Sequence, residues 1–192
     1  MSVRVAILAA GASTRLGEPK ALARIGDRTA LEHLVEAASC VDRRPLVVVG
    51  AHAREIRAAA PAQCELLENP RWETGRTSGL ALAREHAADC DLLVAPVDSP
   101  LVSAATFASL AAAWHAAGEP ASGWLAPRER LSGRHGHPVL IGRSLLRHLE
   151  ELSSLRELRQ RARPLLDVLV EDVAVLDDLD TPADLERLRL RR

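Results

Sequence analysis

"VRVAILAAGASTRLGEPK", residues 3–20, decides the fold. Apart from Arg4, its first seven residues are an unbroken apolar run rather than an alternation. Such a run reads as a strand buried on both faces, as parallel sheets require. It is far shorter than the roughly 20 residues of a membrane span, and it lacks the basic start and cleavage site of a secretory leader. The small residues that follow let backbone N–H groups converge on an anion. Arg15 adds a planar fork of donors and Lys20 a point charge. No Gly-Lys-Ser/Thr opens a helix here, and Gly11, Gly17 and Gly26 are too widely set for G-x-G-x-x-G. On these residues alone the loop either holds phosphate or simply turns the chain.

The rest of the chain alternates strands with helices. Apolar runs predict buried strands over 46–49 and 91–95 and a further strand over 64–67. Helical spacing predicts helices over 29–39, with Thr29 as cap, and over 52–60, 77–88 and 104–117. Residues 68–79 have too many turn formers to start as anything but loop, and 118–138 reads as irregular. A short strand is expected over 139–141, helices over 144–151 and 155–161, and two strands over 166–170 and 173–176. A closing helix is expected over 181–190, with Pro182 in its first turn. The alternation implies one α/β domain over residues 1–192, Rossmann-like, with a mostly parallel central sheet flanked by helices.

Composition narrows the functions. The 192 residues carry a net charge of -1, with three Trp, one Phe and no Tyr. There is neither the field nor the stacking surface for nucleic acid, and nothing to draw the chain to a membrane. A cytoplasmic location is expected. Cys40, Cys64 and Cys90 fit neither a disulfide framework nor a zinc pattern, and no chemistry is assigned to them.

In a parallel sheet, ligands sit beyond the carboxyl ends of the strands. There, "PVDSP" (residues 96–100) places Asp98 on stiff backbone, suited to a preorganised Mg²⁺ ligand. The alternative is that Asp98 or Ser99 caps the next helix, although Ser103 is better placed for that. After the last strand, Asp178 and Asp180 alternate and can face one side of an extended segment. The competing reading is an ordinary helix start, with Asp184 in its first turn. Two carboxylates and a cationic loop suit transfer of a nucleotidyl group from a metal-bound triphosphate.

Five ordered motifs then carry a resemblance across nearly the whole chain. They are "LAAGASTRLGEPKAL" (8–22), "NPRWETGRTSGLALA" (69–83), "APVDSPLVS" (95–103), "GRHGHPVLI" (133–141) and "LDDLDTPADL" (176–185). They resemble the MobA-like NTP transferase family, nearest the branch of molybdenum-cofactor cytidylyltransferases. That resemblance implies a fold of the glycosyltransferase-A kind and Mg²⁺-dependent transfer of a nucleoside monophosphate to a phosphorylated acceptor. In that branch CTP and molybdopterin cofactor give the cytosine dinucleotide form and pyrophosphate.

Carried over, Leu8, Ala9, Ala10 and Gly11 meet the base or ribose, and Arg15 and Lys20 hold the triphosphate. Asn69, Gly75 and Ser78 contact nucleotide, Asp98 and Asp180 hold the metal, and Gly136 and His137 meet the acceptor. The cytidylyl relatives read Leu-Ala-Ala-Gly where guanylyl relatives read Leu-Ala-Gly-Gly, so Ala10 favours cytosine. Trp72 is expected to pack rather than act as a lid, and Ser78 has a helix-cap role as its alternative. His135 and His137 form an H-x-H pair without an evident third ligand. Residues 122–136 and 153–166 depart from the relatives where the acceptor pocket is expected. Two other readings stand: transfer to a sugar or alcohol phosphate, and a non-catalytic carrier serving a molybdenum hydroxylase partner.

Overall fold

The computed structural model describes residues 3–151 and 154–191. In chain order the elements are β1 (Val3–Ala9), β2 (Arg24–Ile25), β3 (Arg28–Thr29), α1 (Ala30–Ala38), β4 (Leu46–Val49), α2 (Ala53–Ala59), β5 (Glu65–Glu68), α3 (Arg76–His86), β6 (Asp91–Pro96) and α4 (Ala104–Ala116). There follow β7 (Trp124–Glu129), β8 (Val139–Ile141), α5 (Arg143–Leu146), α6 (Leu155–Arg161), β9 (Leu165–Val170) and α7 (Pro182–Arg189). Seven strands form one sheet in the order β5-β4-β1-β6-β8-β7-β9. Within this sheet, among the described residues, only the pairings of β8 are antiparallel; β2 and β3 form a separate antiparallel pair. The mostly parallel sheet flanked by helices is therefore observed.

The continuous apolar runs do what two buried faces demand. Val5, Ile7, Val47, Val49, Leu93 and Ala95 enter one core with α1, α4 and α7. Their neighbours Ala6, Leu46, Val48, Leu92 and Val94 enter the other, with α3, α5 and α6. On α4, Phe107, Leu110 and Trp114 recur at helical spacing and are fully buried; burial of Phe107 or Leu110 contributes about 1.5–3 kcal/mol. Trp114 Nε1 donates to Asp91 Oδ2 at 2.8 Å, and Arg143 donates its N–H and Nη1 to Oδ1. Those bonds offset the cost of burying Asp91, and they bolt α4 and α5 to the start of β6, the end opposite its site loop.

Two expectations fail for physical reasons. Residues 118–138 are not wholly irregular, because β7 runs through them despite Pro127, Arg128 and Glu129. On β7, β8 reaches only Trp124 and Leu125, so Pro127 lies beyond that ladder and its missing N–H is not needed there. Glu129 is buried with its carboxylate accepting the N–H groups of Leu131 and Ser132, which closes the turn; the Ser132 side chain first, then those N–H groups, keep its proton affinity low. Val173–Leu176 is a 3-10 turn rather than a strand. Asp172 Oδ1 caps that turn, while Oδ2 accepts from Ser103 and Thr106 at the start of α4. A side chain that satisfies backbone donors locally outcompetes a strand ladder. Smaller differences are an α3 that begins at Arg76 and a 144–151 segment that passes from α5 into 3-10 geometry. Ser153, within the divergent 153–166 stretch, lies outside the described residues.

Candidate active site

A cleft opens at the carboxyl ends of β1, β4 and β6, where the topology places it. Among its lining residues are Leu8, Ala9, Ala10, Gly11, Arg15, Lys20, Asn69, Gly75, Asp98 and Asp180. Ten of the thirteen residues expected at the site therefore meet in one place. The other three are Ser78, Gly136 and His137.

The loop after β1 is held from both sides. Leu8 C=O accepts from Val97 N, and Ala10 C=O accepts from Ala51 N, both at 3.1 Å. Ser13 has a positive φ of 53°; its carbonyl accepts from Leu16 and Gly17, and its Oγ accepts from Lys20 N at 3.1 Å. That turn directs Lys20 back into the cleft. A side chain at Gly11 would meet nothing within 4 Å, so the loop keeps open space there. His52, just after β4, donates Nε2–H to Ala12 C=O at 3.0 Å and braces the loop from the opposite wall.

The two expected metal ligands come from distant segments that the backbone ties together. Ser99 Oγ donates to Asp177 C=O at 2.8 Å, and Leu179 N donates to Asp98 C=O at 2.8 Å. Asp180 is held by Arg15 Nη2 at 2.5 Å and by Lys20 Nζ. The Lys20 hydrogen bond, with Arg15 beside it, keeps the Asp180 carboxyl below the usual range against the opposing effect of burial. Asp98 Oδ2 accepts from Arg76 Nη2 at 3.2 Å. Asp178, the alternating partner of Asp180, has its proton affinity raised by burial and then by the charges of Asp180 and Asp98.

Crowded carboxylates with no thiolate among them suit a hard divalent cation. Among the described residues no three His, Cys, Asp or Glu form a ready cage. An ion such as Mg²⁺ needs none, since it binds through one or two carboxylates and completes its shell with water and substrate phosphates. Asp98 and Asp180 fit that demand.

Asn69 is buried, and its hydrogen bonds are internal: Oδ1 accepts from Arg71 N and Nδ2 donates to Ser78 Oγ. Ser78 Oγ lies 2.8 Å from Gly75 C=O and 3.0 Å from Arg71 C=O. Ser78 thus shapes residues 69–75 from behind rather than lining the cleft. Trp72 packs and lines at once, because its Cβ lies 2.5 Å from where a Gly50 side chain would begin.

Gly136 and His137 are not among the residues that line the cleft. A Cβ on Gly136 would fall 2.0 Å from Val175 C=O, and its N–H is committed to Pro127 C=O. The His137 N–H is likewise committed to Val175 C=O. The His137 Nδ1 is buried and has no hydrogen-bond partner among the described residues. Burial holds its proton affinity below the ordinary value; Asp98 raises it and Arg76 lowers it again, so the ring sits in the field of the site. His135 is exposed and pairs through its backbone with Arg128, apart from that buried ring.

Sequence reasoning missed Arg76 and His52. Arg76 stands directly after Gly75, already singled out, and His52 lies just past the end of β4; a polar side chain past the carboxyl end of a strand was the readable signal for both.

A model of the MobA-like NTP transferase domain matches residues 5–173, ending before Asp180. The bifunctional protein GlmU of Caulobacter vibrioides is 32% identical over 190 residues, covering 90% of this chain and 39% of that protein. The chain thus spans well under half of that curated relative. The crystal structure of Rv0371c from Mycobacterium tuberculosis matches with a TM-score of 0.82 and 25% identity, covering 99% of this chain and 98% of that one. The 2-C-methyl-D-erythritol 4-phosphate cytidylyltransferase of Thermus thermophilus matches at 0.69 and 25% identity, covering 100% and 98%. With a family match over most of the length and the expected cleft in place, the chain belongs to the MobA-like NTP transferase family.

Proposed function

We propose that the protein is a Mg²⁺-dependent nucleotidyltransferase that moves CMP from CTP to the phosphate of molybdopterin cofactor and releases pyrophosphate. The observation that carries this reading is the meeting of Arg15, Lys20, Asp98 and Asp180 in one cleft. An acceptor phosphate oxygen attacks the α-phosphorus, and the bond to the bridging oxygen of pyrophosphate breaks. The acceptor brings its own nucleophile, so the protein's task is positioning and charge stabilisation. Arg15 and Lys20 hold the triphosphate and offset the charge that moves onto pyrophosphate. Held by Asp98 and Asp180, Mg²⁺ supplies further neutralisation of the triphosphate. The open space at Gly11 admits base or ribose beside Ala10, and Asn69 and Gly75 form the facing wall, which Ser78 shapes from behind. His137, within the field of Asp98, is assigned with Gly136 to the acceptor. The product's destination is a molybdenum hydroxylase.

CTP is favoured by Ala10 and by the likeness to a cytidylyltransferase. The same likeness favours a second reading, in which the acceptor is a sugar or alcohol phosphate. Pyrophosphate release measured with each NTP, and with either kind of acceptor, separates the two. Asp98→Asn should lose turnover by orders of magnitude with its circular dichroism unchanged. Pyrophosphate release near the wild-type rate in that variant sinks the metal-ligand role. Tight nucleotide binding with no release, whatever the acceptor, leaves the carrier as the better account.

A further inference from the structure

Arg76 has no part in the scheme above, yet it stands in the cleft. It is the first residue of α3, directly after Gly75, whose φ of 105° turns the chain into the helix. Its side chain is 64% exposed, whereas the Asp98 carboxylate it meets is 14% exposed. The arrangement repeats at Asp180, which is 18% exposed and bound to Arg15 and Lys20. Each carboxylate assigned to the metal thus already carries a cation of the protein. Carboxylates this buried are costly to leave unpaired, and the cations that share them relieve that cost.

We propose that Arg76 is the counter-ion that a divalent metal displaces from Asp98, and that the freed guanidinium then binds a phosphate of the nucleotide. The inference rests on Asp98 as a metal ligand. A guanidinium suits both partners, because its planar fork matches carboxylate and phosphate alike. Metal alone must break the Arg76–Asp98 pair and strand a cation. Nucleotide alone finds the cations tied to carboxylates. Together they leave every charge matched, so each raises the affinity for the other. The device moves one exposed side chain and leaves the backbone where it is.

The test uses Mn²⁺ as probe, titrated into the full chain and followed by the electron paramagnetic resonance signal of the free ion. Without nucleotide, Arg76→Gln should bind Mn²⁺ about two- to five-fold more tightly than wild type, the range one exposed ion pair is worth. With Mn²⁺ saturating, the same variant should bind CTP more weakly. In an Asp98→Asn background the Arg76 substitution should make no difference to Mn²⁺ alone. Equal or weaker Mn²⁺ binding by Arg76→Gln overturns the exchange, as does an effect that persists without Asp98. Equal Mn²⁺ binding by wild type and Asp98→Asn overturns it too. The titration needs neither acceptor nor turnover, so a protein that releases no pyrophosphate sinks the transferase reading while the exchange is judged on Mn²⁺ alone.

Discussion

Gly11 and Gly136 both sit in glycine-bearing loops beside cations, and the fold uses them in opposite ways. A side chain at Gly11 would project into open cleft, whereas one at Gly136 would strike the Val175 carbonyl at 2.0 Å. The loop around Gly11 is fastened at its ends, through Leu8, Ala10 and Ser13, and opens in the middle. The segment around Gly136 uses its own N–H groups on Pro127 and Val175 to close the chain against itself. A glycine can therefore make room for a ligand or for the protein's own backbone. Which it does depends on where neighbouring hydrogen bonds are made.

The largest expected effect tests the open loop. Lys20→Ala should lower pyrophosphate release about 10²–10³-fold, the loss typical of one preorganised charge-stabilising donor. Its thermal midpoint should stay close to wild type, since Arg15 still holds Asp180. A wild-type rate in that variant removes the loop from the chemistry.

Gly136→Ala tests the closed segment and should cost about 1–3 kcal/mol, the usual penalty for overpacking. At about 2–4 °C per kcal/mol for a chain of this size, calorimetry reads that as a drop of several degrees. A variant with unchanged stability and altered acceptor kinetics makes Gly136 a ligand glycine and erases the contrast. Gly11→Ala should do the reverse: stability within about 0.5 kcal/mol of wild type, with weaker nucleotide binding by titration calorimetry. Lost stability with unaltered nucleotide binding contradicts the open-space reading.

The smallest effect is a pH dependence. Burial lowers the proton affinity of His137 from its ordinary value of 6.5. The unfolded chain then takes up a proton that the folded chain refuses. The stability tied to neutral His137 is complete above about pH 6.5 and is lost as pH falls through the folded value. Denaturant melts of the metal-free protein should show that fall, and His137→Leu should flatten it. An identical slope in the variant places the titrating group elsewhere.

Much of the architecture was legible because its signals are local. The apolar runs of β1, β4 and β6 announce strands with two buried faces, and Thr29, Ser103 and Thr181 cap helices within three residues of themselves. β7 escaped because Pro127, Arg128 and Glu129 interrupt its apolar run, although the sheet places the proline beyond the β8 ladder and gives the carboxylate two N–H groups of the next turn. Val173–Leu176 misled because the pull of Asp172 on Ser103 and Thr106 comes from a helix start more than 60 residues away.

The sequence by itself determined the strand-to-loop pattern, the helix caps and the residue types available at each strand end. Periodicity and capping act over a few residues, so they can be read there. Only the tertiary structure decided that Asp98 meets Arg76, that Asp180 meets Arg15 and Lys20, and that Gly136 packs against the Val175 carbonyl. Those outcomes depend on bonds such as Ser99 to Asp177, 78 residues apart, made only once the sheet has brought its strand ends together.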